Sequence, residues 1–288
     1  MKVDGPGRGI RAGGEWPTNP VSDCMFTDSH CHLSFPELAG DIERIRSAMV
    51  QAKVDRALCI CTTLEEFAQV HALAMAHDNF WASIGVHPDN EGVTEPTVDD
   101  LLRGGRLPRV VAIGETGLDY YRLNGRTLQE MEWQRDRYRV HIRAARELDL
   151  PLVIHTRSAS DDSLGILREE GFSAGLGTAR GVFHCFTETM EVARAALDMG
   201  FYISFSGIVT FKNAQDLRDV AAFVPMDRLL IETDSPYLAP VPYRGKLNNP
   251  SYVPYVAQQL ATVKNCGVEH IGEVTSRNFE RLFRGVGV

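Results

Sequence analysis

The chain has 288 residues, of which 44% are hydrophobic and 24% are charged. This composition is ordinary for a folded globular protein, and it excludes a collagen, a coiled coil or a largely disordered chain. The formal net charge of -8 argues against a broad basic surface that coats nucleic acid. It leaves room for a nuclease, because a metal site can supply the local positive charge that a phosphate needs.

The first 24 residues are rich in glycine and proline and offer little that a regular element could bury. We predict that residues 1–24 form a flexible extension and that residues 25–288 form one domain. There is no apolar centre of a secretory signal, no run of roughly 18 apolar residues, and too few cysteines for a disulfide scaffold. We therefore expect a cytoplasmic protein with reduced cysteines, no membrane contact and no obligate protein partner.

From Met25 onward, short apolar runs rich in β-branched residues alternate with longer stretches of helical period. The predicted strands are Met25–Asp28, Arg56–Cys61, Trp81–Val86, Val110–Glu115, Leu152–His155, Gly181–His184, Phe201–Phe205 and Leu229–Glu232. The predicted helices are Ile42–Ala52, Leu64–His77, Leu128–Leu148, Asp162–Glu170, Glu191–Met199, Ala214–Phe223, Tyr252–Lys264 and Val268–Phe283.

Eight strands that alternate with helices favour an α/β protein with a (β/α)8 TIM barrel. A doubly wound open sheet is the alternative, but no GxGxxG turn follows the first strand. The arginines from Arg135 to Arg146 predict an ordinary exposed helix face.

Potential metal ligands stand at the ends of five predicted strands. His30 and His32 are two residues apart, so their imidazoles point to the same side of an extended chain. The carboxyl ends of barrel strands open on one face, where these two side chains are predicted to meet four more: Glu115, His155, His184 and Asp234. One such histidine alone would more often be an ordinary core residue. Four imidazoles and two carboxylates together are costly to bury unless divalent ions satisfy them.

Seven segments carry a more specific signal: residues 28–33 (DSHCHL), 85–88 (GVHP), 114–121 (GETGLDYY), 155–157 (HTR), 184–186 (HCF), 232–240 (ETDSPYLAP) and 244–246 (RGK). With these segments the chain resembles the TatD family of metal-dependent hydrolases over about residues 25–284. Most characterised members of that family are deoxyribonucleases, and its fold is an amidohydrolase-like barrel. The resemblance implies one or two divalent ions, with Glu115 as the bridge, held by His30, His32, Glu115, His155, His184 and Asp234.

The mechanism that these ligands imply is hydrolysis by a water that two metal ions activate, with Asp234 as the proton acceptor and Glu115 as the catalytic bridge. Zn, Mn, Co and Mg all suit such a donor set. We expect four basic side chains to contact the phosphates of the substrate: His87, Arg157, Arg244 and Lys246.

Each phosphate contact has a structural alternative. His87 before Pro88 suits a capped strand end, and Arg157 suits a structural ion pair. Arg244 and Lys246 can equally be solvated loop charges. Glu232, on the same strand face as Asp234, either orients a metal ligand or bonds to buried backbone.

The chain departs from the family pattern at Ser158 and at three positions of one further segment: Tyr243, Leu247 and Asn249. Ser158 stands where the family commonly has an acidic residue. The segment that usually reads PHRGKRNEP has Tyr243 in place of its histidine and Leu247 in place of its second arginine. The metal ligands are intact, so these changes bear on substrate preference and phosphate affinity.

The leading functional hypothesis is a phosphodiesterase that trims single-stranded or frayed DNA from the 3′ end, as the family does. A second hypothesis keeps the metal centre but hydrolyses an acyl ester such as that of D-aminoacyl-tRNA, since an activated hydroxide attacks carbonyl and phosphoryl centres alike. A third is a non-catalytic binding protein on a hydrolase barrel.

Overall fold

Eight parallel strands follow one another around the centre of the computed structural model, which describes residues 25–172 and 177–286. They are β1 Phe26–Cys31, β2 Val54–Cys59, β3 Phe80–Ile84, β4 Val110–Asp119, β5 Leu152–Arg157, β6 Gly181–Phe183, β7 Tyr202–Phe205 and β8 Leu229–Ile231. Each strand pairs with the next, and the chain after β8 returns to β1 through a parallel bridge between Cys31 and Ser235. The predicted (β/α)8 barrel is confirmed. The predicted extension, residues 1–24, lies outside the described residues.

Helices cover the outside of the barrel. In the described part of the chain they are α1 Pro36–Ala39, α2 Ile42–Gln51, α3 Phe67–Ala76, α4 Val98–Gly105, α5 Glu132–Leu148, α6 Ser160–Gly171, α7 Met190–Asp198, α8 Gln215–Phe223, α9 Val253–Lys264 and α10 Val268–Leu282. None of these helices combines the length and apolar character that crossing a membrane requires.

Two helices were not predicted, and α3 and α5 begin three and four residues later than predicted. α1 and α4 are short, and α4 depends on a capping box in which Thr97 and Asp100 satisfy each other's backbone N–H groups. The predicted helix Leu128–Leu148 divides into a 3-10 turn at Gln129–Met131 and α5. Local hydrogen bonds, which apolar periodicity does not report, set these boundaries.

β4 also continues four residues beyond its predicted end at Glu115. The prediction stopped there because two glycines interrupt the apolar run. In the structure Gly117 pairs with His155 of β5, and a Cβ on Gly117 would meet the His155 carbonyl oxygen at 1.9 Å. The glycine therefore allows the two strands to stay paired at the height of the predicted metal ligands.

An apolar layer fills the barrel toward the amino ends of the strands. It joins inward-facing strand residues to Phe279 and Phe283 of α10, so the last helix covers that end. Because side chains alternate along a strand, the residues two positions further on point to the same interior. At the carboxyl end, the positions that follow Val153, Val182 and Leu230 in this way are His155, His184 and Glu232.

A buried carboxylate joins the ends of β1 and β8. Asp28 accepts hydrogen bonds from the backbone N–H of Thr233 at 2.9 Å and of His30 at 3.2 Å, and from the Thr233 hydroxyl. The Asp234 N–H then donates to the His30 carbonyl at 2.9 Å. These bonds place the two halves of the candidate site next to each other.

The inner face of α5 is not the exposed arginine face that the charges predict. Arg137 is 3% exposed, and its guanidinium donates to the carbonyls of His87 at 2.7 Å and Asn90 at 2.9 Å. Arg146 is also buried and donates to the Gly177 carbonyl at 2.6 Å. The prediction is wrong for both residues, because loop carbonyls replace water as partners for their guanidinium groups.

His141 ties α5 to the chain just after β3. Its Nε2 accepts a hydrogen bond from the Val86 N–H at 2.9 Å, so Nδ1 carries the proton that is donated to the Arg137 carbonyl at 2.8 Å. Burial lowers the pKa of His141 to about 4, despite the bond to that carbonyl. The ring is therefore neutral in the folded protein at neutral pH.

We predict that His141 makes the fold less stable as the pH falls from 6.5 to about 4. In that window the unfolded chain protonates this histidine and the folded protein does not, so the unfolded state binds more protons and gains free energy. The full effect is on the order of 3 kcal/mol. Urea unfolding of metal-free protein across this range should show a shallower decline for His141→Gln, whose amide oxygen can accept from Val86 without titrating. Equal declines would contradict the role of His141.

Candidate metal centre

The six predicted ligands lie together at the carboxyl end of the barrel. They are supplied by β1 and the residue after it, β4, β5, the residue after β6 and the loop after β8. All but one line a single cavity of about 800 Å³, and His30 is completely buried beneath it. The structure therefore brings together every member of the predicted set: His30, His32, Glu115, His155, His184 and Asp234.

Glu115 stands at the middle of this arrangement, with its two oxygens facing different groups. Oε2 lies 3.4 Å from Nε2 of His30 and 3.8 Å from Nε2 of His32. On the other side, Oε1 lies 2.8 to 3.3 Å from one ring nitrogen each of His184, His87 and His155. A carboxylate placed in this way can bridge two cations, as predicted for Glu115.

Three sets of ligand atoms are each close enough to share one ion, with all atoms of a set within 4.8 Å of one another. Two sets contain His30, one with His32 and Glu115 and one with His184 and Asp234. The third consists of Glu115, His155 and His87. Imidazole and carboxylate ligands at this spacing suit Zn, Mn, Co or Mg.

The contacts of the buried His184 ring show that the donor set fits a cation. Nδ1 of His184 faces Glu232 Oε1 at 3.3 Å, a group that only accepts, so Nδ1 carries a proton and Nε2 points to Glu115. This buried Nε2 has no hydrogen-bond partner in the described residues. Nε2 and Glu115 Oε1 are 2.8 Å apart, so the position between them is occupied by a proton or by a cation.

The pKa directions agree with such a cation site. Burial raises the pKa of Glu115, but the surrounding His184, His87 and His155 outweigh burial and hold it well below its usual range. The pKa of Asp234 is also lowered, since the bond to His32 and the nearby histidines outweigh burial. Both carboxylates are therefore ionised at neutral pH and available to a metal.

Two further carboxylates orient the histidines. Asp119 Oδ2 lies 3.0 Å from Nε2 of His155, which leaves Nδ1 of that ring to face Glu115. Glu232 fulfils both of its predicted alternatives, because Oε1 faces His184 and also accepts from the Cys185 N–H at 2.7 Å. No role was predicted for Asp119. Its position four residues after Glu115, on the same side of β4, was the signal that could have found it.

The predicted phosphate contacts fall into two places. His87 and Arg157 line the cavity, as does Arg122, for which no role was predicted. His87 lies beside Glu115 and could serve a cation as well as a phosphate. The Arg157 guanidinium lies 3.7 Å from the centre of the Tyr121 ring, and neither cavity arginine forms a salt bridge within the described residues. Arg244 and Lys246 are exposed outside the cavity.

Comparison with known proteins agrees with this geometry. A family described as TatD related DNase matches residues 27–284. The chain belongs to the TatD family. It is 47% identical over 263 residues to YcfH, an uncharacterized metal-dependent hydrolase of Escherichia coli K12, an alignment that covers 90% of this chain and 96% of YcfH. The chain is accordingly a metal-dependent hydrolase of the TatD family.

Solved structures extend the likeness to the fold. YjjV, a TatD homologue from Escherichia coli K12, superposes with a TM-score of 0.82 at 29% identity, covering 91% of this chain and 98% of YjjV. An uncharacterized amidohydrolase from Saccharomyces cerevisiae superposes with a TM-score of 0.73 at 18% identity, covering 90% and 100% of the two chains. The second likeness concerns the fold alone, and it confirms the predicted amidohydrolase-like barrel.

We predict that replacing both His30 and His32 by Ala lowers the bound metal and abolishes hydrolysis while the barrel stays folded. These residues lie at the carboxyl end of the strands, away from the apolar layer that stabilises the other end. Metal content by mass spectrometry, circular dichroism and turnover on one preparation would check the three parts. Undiminished metal in the double variant would remove this pair from the ligand set.

We also predict that Asp119→Asn weakens metal binding about 10- to 100-fold, because the charged acceptor that orients His155 is lost. Metal affinity would be measured by competition with a chelator of known affinity. Asp78→Asn serves as the control, since the Asp78 side chain is 94% exposed and remote from the cluster. An affinity equal to that of the control would show that His155 does not depend on Asp119.

Proposed function

We propose that this TatD family member hydrolyses phosphodiester bonds at the 3′ end of single-stranded DNA. The observation that carries the proposal is the pairing of an ionised ligand cluster on the cavity floor with two unpaired arginines, Arg122 and Arg157, on its wall. A phosphodiester offers oxygens to both groups. The reacting phosphate binds the ligand cluster on the floor, and non-bridging phosphate oxygens that do not react accept hydrogen bonds from the guanidinium groups. The family description as TatD related DNase supports DNA as the source of that phosphodiester.

The size of the cavity favours a strand end. About 800 Å³ lies in the range of roughly 300 to 1,000 Å³ that is typical of small-molecule pockets. Such a pocket accommodates terminal nucleotides better than the body of a duplex. Phe35 and Tyr237 form its aromatic side, and the Phe35 ring stacks on His32 at 4.6 Å. An unpaired base at the end of a strand can contact this side while its phosphate reaches the floor.

The chain's own residues prepare the reaction in three ways. Asp234 Oδ1 faces His32 Nε2 at 3.3 Å, which orients the carboxylate, and its lowered pKa keeps it ionised to accept a proton from the attacking water. Arg157 holds non-reacting phosphate oxygens. Asp119 and Glu232 fix the rings of His155 and His184, so that their free nitrogens face the floor. Bound divalent ions would supply Lewis-acid activation of water and neutralise developing negative charge.

Release of nucleotides from single-stranded DNA tests the proposal. Metal-depleted protein would receive Mg, Mn, Co or Zn in turn, together with a strand labelled at its 5′ end. Successive shortening from the unlabelled end is expected with at least one metal. D-aminoacyl-tRNA would be offered to the same preparation. Deacylation without any shortening of DNA would overturn the proposal in favour of acyl-ester hydrolysis.

We predict that Asp234→Asn lowers turnover by about 10² to 10⁴, the usual span for general-base catalysis, while metal largely remains. The amide preserves the shape and one weak ligand oxygen but cannot take the proton. DNA affinity should change little, so the loss falls on turnover. Near-normal turnover would show that Asp234 is not the proton acceptor. Loss of the metal would show that its main role is to bind the metal.

A further inference from the structure

The loops after β7 and β8 differ in charge from the rest of the chain. The sequence contains 38 acidic residues, yet none lies in residues 199–215 or 235–268. The two loops meet where the Val241 N–H donates to the Thr210 hydroxyl at 2.9 Å. A protein of net charge -8 thus presents, at the carboxyl end of its barrel, two adjoining segments, residues 199–215 and 235–268, that contain no negative side chain.

The charged groups on these loops are exposed cations. Lys212, Arg244 and Lys246 are all exposed, and none of them forms a salt bridge within the described residues. The Arg244 guanidinium lies 4.5 Å from the centre of the Phe211 ring. Stacking on one aromatic ring leaves the guanidinium N–H groups free for a phosphate.

Three tyrosines fix the same loop to the start of α9. The rings of Tyr243 and Tyr252 stack at 4.2 Å with an angle of 4° between them, and the hydroxyls of Tyr243 and Tyr255 are 3.1 Å apart. Tyr255 remains 37% exposed. Tyr243 is the residue that stands where the family pattern has histidine. The tyrosine cluster holds the loop cations in place and presents an aromatic ring beside them.

The loops that carry these residues also supply part of the cavity lining. Ile208, Tyr237 and Leu238 line the cavity. Phe211 lies three residues after Ile208, and Tyr243 lies five residues after Leu238, with its N–H bonded to the Pro240 carbonyl at 2.6 Å. A strand that leaves the cavity on this side therefore passes directly over the loops.

We propose that these loops bind the part of a single DNA strand that lies outside the cavity, through a rim surface formed by Phe211, Lys212, Tyr243, Arg244, Lys246 and Tyr255. Phosphates contact the three cations, and an unstacked base packs against Tyr255. Cations interleaved with aromatic rings are the arrangement that single-stranded nucleic acid requires, because stacking needs exposed base faces and the backbone needs positive charge. The inference rests on the proposed function, and it makes affinity depend on strand length.

Direct binding measurements test the rim surface. They use metal-loaded protein carrying Asp234→Asn, so that the strand is not consumed, with fluorescein-labelled oligothymidylates of about three and about twenty nucleotides. Arg244→Gln combined with Lys246→Gln should reduce the slope of log affinity against log salt by about 1.4 for the long strand, or 0.7 for each contact. Tyr255→Leu should lower affinity for the long strand about fivefold or more without changing that slope. Both losses should be smaller for the short strand, which the cavity holds.

A matched control comes from the opposite end of the barrel. Arg103 and Arg106, at the carboxyl end of α4, are 70% and 63% exposed, so their double replacement by Gln removes the same charge elsewhere. This control should bind both strands like the parent. Long-strand binding by the rim variants that matches the control would overturn the proposal, as would equal losses for the short strand.

The same data separate this inference from the proposed function. If the protein binds the long strand through the rim surface but cleaves no DNA, the rim proposal stands and the proposed nuclease activity is refuted. If the protein cleaves DNA and both rim variants bind the long strand normally, the nuclease activity stands and the rim proposal is refuted.

Discussion

The candidate site depends on one buried interaction, the set of hydrogen bonds that Asp28 accepts from Thr233 and His30 where the barrel closes. β1 and β8 are separated by almost the whole chain, and bringing them together orders a long loop at a considerable entropic cost. The Asp28 carboxyl group offsets part of that cost with hydrogen bonds that are strong because they are buried. Its position also decides where the histidine pair of the first strand meets Asp234.

The sequence predicted the barrel and its ligand set because both follow from short-range periodicity. Alternation along a strand puts His155 above Val153 and His184 above Val182 in the barrel interior, and parallel strands bring their carboxyl ends to one face. The features that escaped prediction depend on which backbone group lies opposite a side chain. In the sequence, Arg137 cannot be told from a surface arginine, because its role depends on the His87 carbonyl that lies against it in the fold. The role of His141 likewise depends on the Val86 N–H, which is distant in sequence.

The proposed binding of DNA to the cavity and the rim surface does not conflict with the overall negative charge of the protein. Net charge describes the field at a distance, and in physiological salt that field is screened beyond about 8 Å. At contact, the local arrangement decides: two cavity arginines without carboxylate partners in the described part of the chain, and three exposed cations in residues 199–215 and 235–268, which contain no Asp or Glu. The same sequence that looks unsuited to nucleic acid by its composition thus places these five cations at the end of the barrel where the strands open.

The two groups of ligands around Glu115 are held by different parts of the molecule. The closure between the first and last strands supports His30, His32 and Asp234. α5 supports the other group, since Arg137 binds the His87 carbonyl and Gln134 accepts from the Asp119 N–H at 2.9 Å. These supports are mechanically separate, so a disturbance of one need not displace the other. A substitution that loosens α5 can therefore displace His87 and His155 while His30, His32 and Asp234 stay in place.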